Sequence, residues 1–158
     1  MEHVKLVPMS EEEFRIFRAR AVIEYAEDKV KAGVWAEEEA RELSEDTYSR
    51  YLPDGTATRE HYLYTIYWGK KQQNVGCIWL HVPDAPAGKR AFLYEIRIED
   101  DVQGLGLGQA AMHALDETAR SLGASSIGLH VFGHNPAALH VYEKAGYVVT
   151  DYKMAKTL

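Results

Sequence analysis

The chain is poor in cysteine: Cys77 stands alone among 158 residues. A lone thiol excludes any internal disulfide, and small proteins without disulfides suit a reducing compartment, so a cytoplasmic location is expected. Cys77 lies in VGCIWLHV, an apolar strand-like run, and is read as a buried structural thiol. Prolines number only five, and no repeat or low-complexity tract is present, which excludes solenoids and proline-rich linkers. No apolar run approaches the ~20 residues that span a bilayer. The opening stretch MEHVKLVPMSEEEF lacks the apolar centre of a signal peptide. A surplus of positive charge is missing too. The net charge of -6 argues against nucleic acid as a partner and against an anionic membrane surface. Histidines cluster at His130, His134 and His140, but no cysteine or carboxylate completes a recognisable ligand set, so no metal is expected.

With 46% hydrophobic and 27% charged residues, the composition is that of a globular protein with a real core, and one domain over residues 1–158 is expected. HVKLVP alternates up to Pro8 and reads as a first strand. Ser10 and Glu13 form an S-x-x-E capping box, opening a helix that runs to about Lys31 and stops at Gly33. AEEEARELSEDTYSRYL reads as a second helix with an acidic face, and PDGT at 53–56 as a turn. HYLYTIYWG and NVGCIWLHV read as an antiparallel pair, and AFLYEIRI as a fourth strand. A helix follows over about 104–122, then the strand SIGLHVF and a short helix in NPAALHVYEKAG. That helix has Asn135 as cap, Pro136 in its first turn and Gly146 at its end. YVVTDYKMAK reads as a closing strand. The expected order is βααβββαβαβ, a mixed α/β arrangement.

Two stretches carry chemistry. In EDDVQGLGLGQAAMHALDE, Gly104, Gly106 and Gly108 lie between a strand and a helix. Glycines let the backbone turn at positive φ and let a ligand approach its N–H groups, and a helix N-terminus adds unpaired donors and partial positive charge. The loop therefore reads as a phosphate or pyrophosphate cradle. No Gly-Lys-Ser/Thr follows, so it is not a Walker A loop, and its glycine spacing differs from the dinucleotide fingerprint. The second stretch is LHVFGHNPAALHVYEKAGY, with Asn135, Ala138, Tyr142, Gly146 and Tyr147 at fixed intervals.

Together these residues resemble the GNAT acyl-CoA N-acyltransferase superfamily. Gln103, Gly106 and Gly108 match its Q/R-x-x-G-x-G/A signature. Asn135 to Tyr147 match N-x-x-A-x-x-x-Y-x-x-x-G-F/Y, and the element order agrees over nearly the whole chain. YAEDKVKAGVWAEEEARELS is similar to a subgroup of small bacterial GNAT proteins of mostly unassigned substrate. The resemblance implies a twisted mixed sheet of six to seven strands flanked by four helices, splayed between the fourth and fifth strands. It implies acetyl-CoA as co-substrate, with its pyrophosphate on the backbone amides of Gln103, Gly104, Leu105, Gly106, Leu107, Gly108 and Gln109. The pantetheine arm is expected along the strand backbone of Ile96 to Ile98. Asn135 is expected to contact the cofactor or order the site, and Tyr142 to protonate the leaving thiolate. Glu99, Asp100 and Asp101 depart from the family pattern, as do Gln103 and Leu105, where basic residues are common. The acids are read as solvated on the outside of the turn, leaving N–H groups and the helix terminus to hold the phosphates.

Acetylation of an amine needs a neutral nucleophile, hence a proton acceptor. LYEIRIE alternates, with Tyr94, Ile96 and Ile98 on one face and Glu95, Arg97 and Glu99 on the other. A covered central strand is expected to be apolar on both faces, so these charges suggest that one face lines a polar cleft. Glu95 is the candidate base; a Glu95–Arg97 or inter-strand ion pair without catalytic duty is the alternative. His61 is a further candidate. By the same resemblance, the two N-terminal helices wall the acceptor site, and their acids suit a cationic amine, borne by a small molecule or a protein. The expected activity is acetyl transfer from acetyl-CoA to a primary amine by direct attack, in a monomer or homodimer. The rivals are a non-catalytic acyl-CoA-binding or sensing module on the same scaffold, and a domain holding another nucleotide in the loop.

Overall fold

The computed structural model describes residues 2–158. β1 (Val4–Pro8) leads into α1 (Glu11–Lys31) and α2 (Glu37–Tyr51). β2 (His61–Trp68), β3 (Gln73–His81) and β4 (Lys89–Ile98) follow, then α3 (Leu107–Ser121), β5 (Ala124–Leu129) and α4 (Pro136–Lys144). The sheet runs β1-β2-β3-β4-β5. Its first four strands are antiparallel in sequence, and β5 joins β4 in parallel after the α3 crossover.

Local chemistry sets the element ends. The Ser10 hydroxyl accepts from the Glu13 N–H at 3.1 Å, while the Ser10 N–H donates to Glu13 Oε1 at 3.0 Å. This reciprocal cap satisfies two donors that α1 leaves unpaired. Glu13 Oε2 also accepts from Thr65 and Asn74, so the cap ties α1 to the β2–β3 hairpin.

The sheet has a core on each face. On one side Ile66, Ile78, Leu80 and Leu93 pack with Leu107, Met112 and Leu115 of α3. On the other, Leu63, Cys77 and Trp79 pack with Phe17, Val22, Tyr48 and Leu52 from α1, α2 and the residue after it. The buried Ser44 hydroxyl donates to the Val22 carbonyl at 2.7 Å and locks α2 to α1. β3 approaches β4 so closely at Gly76 that a Cβ there would stand 1.9 Å from the Arg97 carbonyl oxygen.

Three features differ from the sequence expectation. α3 starts at Leu107 rather than near Gly104, because Gly104 and Gly106 hold φ of +79° and +80°, outside the helical region. β4 carries a bulge: Trp79 pairs with Glu95 and Leu80 with Leu93, so Tyr94 is the extra residue. An inserted residue breaks strict alternation and re-aims its neighbours. Tyr94 accordingly stacks on Trp79, with ring centroids 4.5 Å apart, on the side that carries Glu95. Finally, among the described residues the sheet has five strands, not six or seven. Residues 147–158 form no strand; Val148, Tyr152 and Met154 are exposed, and among the described residues the only backbone bond donated from this segment is Tyr147 N–H to the Tyr142 carbonyl. Alternation gives a segment the surface of a strand, but a strand needs a ladder partner.

Candidate active site

The sheet opens where β4 and β5 part. β5 pairs with Lys89–Leu93 only, so Tyr94 to Ile98 have no strand neighbour on that side. At the end of this gap stands the glycine loop. Among the described residues, no N–H from Gly104 to Gln109 finds a protein acceptor; Ala110 is the first to donate, to the Gly106 carbonyl at 3.1 Å. Six consecutive free donors at a helix N-terminus form an anion cradle with the helix dipole behind it. A Cβ built at Gly104 or Gly106 would meet no atom within 4 Å, so positive φ, not crowding, requires these glycines. The cradle fits a pyrophosphate. The Gln103 side chain does not face it: its Nε2 donates to the Ile98 carbonyl at 3.0 Å and to Asp100 at 3.2 Å, closing the turn. The Gln109 side chain donates to the Val141 carbonyl at 3.3 Å and joins α3 to α4.

The acidic run before the loop needs a correction. Asp100 and Asp101 are exposed, as expected, but Glu99 is not simply solvated. Arg20 of α1 donates to both its oxygens, at 3.0 and 3.1 Å, and Arg97 lies 3.9 Å away. Its charge is largely answered before it reaches the loop. Cations also come from outside the loop. An open hollow of about 930 Å³ beside Leu105, Gly106 and Gln109 is lined by Lys5 and Lys70 as well, and Lys70 is paired with Glu2 at 3.0 Å.

Glu95 sits on the α1 side of β4. The ion pair weighed against its catalytic use is absent: Arg97 binds Glu24 at 2.6 Å, and Glu95 itself makes no ion pair or side-chain hydrogen bond among the described residues. Burial lifts its carboxyl to about 7; nearby Glu24 adds to the rise, and Arg20 and Arg97 oppose it. An unpaired carboxylate poised near neutrality is what a general base needs. Tyr142, on α4, is packed against the α3-side core, its ring 6.0 Å from that of Tyr147. Burial, followed by the charge of Glu95, raises its phenol above the usual value, so it keeps its proton at neutral pH. The charge of Glu95 on β4 is thus felt at Tyr142 on α4. Asn135 caps α4, its Oδ1 accepting from Ala138 N–H at 3.2 Å, and so fixes the helix that carries Tyr142.

The remaining candidates separate. Trp79 Nε1–H donates to His61 Nδ1 at 3.0 Å, and burial lowers His61 to about 4, too weak a base for this task. Cys77 is pushed up to about 12 by burial, which leaves it an inert thiol. His134 is engaged by Asp28 of α1 at 3.0 Å. Among the described residues no cluster of His, Cys, Asp and Glu could hold a metal ion, and no helix is long and apolar enough to cross a membrane. Sequence reasoning missed Arg20, whose partner lies 79 positions away; the only signal for it was its place beside Phe17 and Ala21 in the helical repeat of α1.

The split sheet, the amide cradle and the tyrosine helix define an acyltransferase of the GNAT class. The chain belongs to the acetyltransferase (GNAT) family, whose model matches residues 24–147. It is similar to the uncharacterized N-acetyltransferase YdgE of Bacillus subtilis, 39% identical over 97% of each chain. YycN of the same organism, also an uncharacterized N-acetyltransferase, is 38% identical over 98% of this chain and 99% of its own. The crystal structure of YycN superposes with a TM-score of 0.92, covering 98% of both chains.

Proposed function

We propose that this acyltransferase moves the acetyl group of acetyl-CoA to a primary amine by direct attack. The run of six unpartnered amides beside the strand gap carries the reading, supported by the raised carboxyl of Glu95 and the protonated phenol of Tyr142. The amides of Gly104 to Gln109 would hold the pyrophosphate, with Lys5 beside them supplying a cation that the loop lacks. The free edge of β4 from Ile96 to Ile98 would align the pantetheine arm as an added strand. The amine nitrogen attacks the thioester carbonyl carbon and a C–N bond forms. Glu95 takes the ammonium proton. The C–S bond breaks, and Tyr142 gives its phenolic proton to the departing sulfur. Solvent then returns a proton from Glu95 to Tyr142.

The test is thiol release over an amine panel with the native protein, Tyr142→Phe and Glu95→Gln. Each variant is expected to lose about 10²-fold or more in kcat, with acetyl-CoA binding retained. Full turnover by Tyr142→Phe would remove the proposed acid. Acetyl-CoA binding without acetylation of any amine would instead leave a binding or sensing module.

A further inference from the structure

Resting on that reading, we infer that the acceptor carries its amine on a flat, apolar body that lies across an aromatic shelf formed by Tyr94, Tyr51, His61 and His81. The bulge in β4 creates the shelf. Because Tyr94 is the extra residue, its ring and the Glu95 carboxylate emerge on one side of the strand at adjacent positions. The buried Trp79 supports Tyr94 from beneath, nearly parallel at 21°. Tyr51, the last residue of α2, flanks Tyr94 with centroids 5.5 Å apart. His61 lies 6.1 Å from Tyr94 on the other side, and His81 stacks on His61 at 4.5 Å.

These rings are not sealed into the core. Tyr94 is 37% and Tyr51 40% exposed, which leaves ring surface free to receive a ligand. The shelf therefore begins one residue from the proposed base and runs outward from it. A substrate whose amine reaches Glu95 must lay its remaining atoms along that surface.

Charge around the shelf excludes a second ammonium. The Arg50 guanidinium stands 5.7 Å from the Tyr51 ring centre and has no carboxylate partner among the described residues. Glu60, the acid beside the shelf, already accepts the Asp84 N–H at 3.1 Å and lies 3.6 Å from His81. His61 Nδ1 accepts from Trp79, so the neutral ring carries its proton on Nε2 and adds no charge to the shelf. Aromatic faces with one unpaired carboxylate at the inner end fit an arylalkylamine better than a polyamine, because stacking and burial act on the body while only one cation is answered.

Two measurements on the full chain test this. Thiol release with acetyl-CoA compares phenethylamine and tryptamine with putrescine, spermidine and lysine. The arylalkylamines are expected to give kcat/KM at least tenfold higher. Tyr51→Ala and Tyr94→Leu are expected to raise KM for them about tenfold, with kcat and the KM for acetyl-CoA unchanged. Tyr51 closes a helix end at the surface, so its variant folds even if Tyr94→Leu does not. Calorimetric titration of phenethylamine in the presence of CoA reads the shelf without turnover, and the same tenfold weakening is expected in Tyr51→Ala. Preference for a diamine, or equal loss of all acceptors in Tyr51→Ala, overturns the shelf while acetyl transfer stands. Phenethylamine binding that is weakened by Tyr51→Ala, with no acetylation of any amine, supports the shelf and overturns acetyl transfer. Absence of phenethylamine binding beside normal acetyl-CoA binding overturns the shelf alone.

Discussion

Glu95 has a double cost and use. Its carboxyl is held at about 7, above the ordinary 4.5. Between those values the folded protein keeps a proton that the unfolded chain has released, so stability falls as pH rises through this window. The penalty is absent below about 4.5 and complete above about 7. Glu95→Gln removes it. Thermal unfolding is expected to show the variant with a higher midpoint than the native protein at pH 8 and an equal one near pH 4. Activity should follow the opposite logic: kcat/KM of the native protein rises with pH through about 7 as the base ionises, and the residual rate of Glu95→Gln lacks that limb. A variant that is no more stable at pH 8 would show that the carboxylate is satisfied in the fold.

At the scale of elements, the amide cradle rests on backbone conformation. An alanine at Gly106 must adopt a φ of +80°, at a cost of about 1–2 kcal/mol for an L-residue. That corresponds to a midpoint drop of only a few degrees in a chain of this length. Its Cβ meets no protein atom, but in the proposed cradle it would crowd a phosphate drawn close to the backbone. Gly106→Ala should therefore weaken acetyl-CoA binding tenfold or more by calorimetry, while the protein stays folded. Much of this was legible in the sequence. The Ser10–Glu13 box, the Asn135 cap and the glycine loop are local patterns, and local chemistry decides them. The β4 bulge was not legible. LYEIRIE alternates as written, and only the register against Trp79 and Leu80 shows that Tyr94 is the inserted residue. Glu99 was misjudged for a related reason: its partner Arg20 is distant in sequence, and no local spacing announces the pair.

Over the whole molecule, the sheet is built to part. α3 crosses from β4 to β5, but the parallel ladder stops at Leu93, and the open remainder of β4 is the edge on which the proposed site rests. The crossover itself could be read from the order of elements, because a strand, helix and parallel strand form one unit. The last segment could not. Its alternation suggested a sixth strand, yet it forms no ladder among the described residues, and beyond Tyr147 its large apolar side chains are exposed. Removing residues 149–158 should therefore change the unfolding midpoint by no more than about 2 °C, near the shift that ~1 kcal/mol gives at this size. A larger drop would mean that this segment supports the fold through contacts the isolated chain does not show.

The most direct test of the account is a thermal-shift titration with acetyl-CoA, beside ATP and NAD. A ligand that binds only the native state adds about 2.7 kcal/mol at a hundred times its Kd. Acetyl-CoA is expected to raise the midpoint in a saturable way, with ATP and NAD giving little at equal concentration. A midpoint unmoved by millimolar acetyl-CoA would contradict the proposed cradle, and with it the acetyl-transfer mechanism assigned to Glu95 and Tyr142.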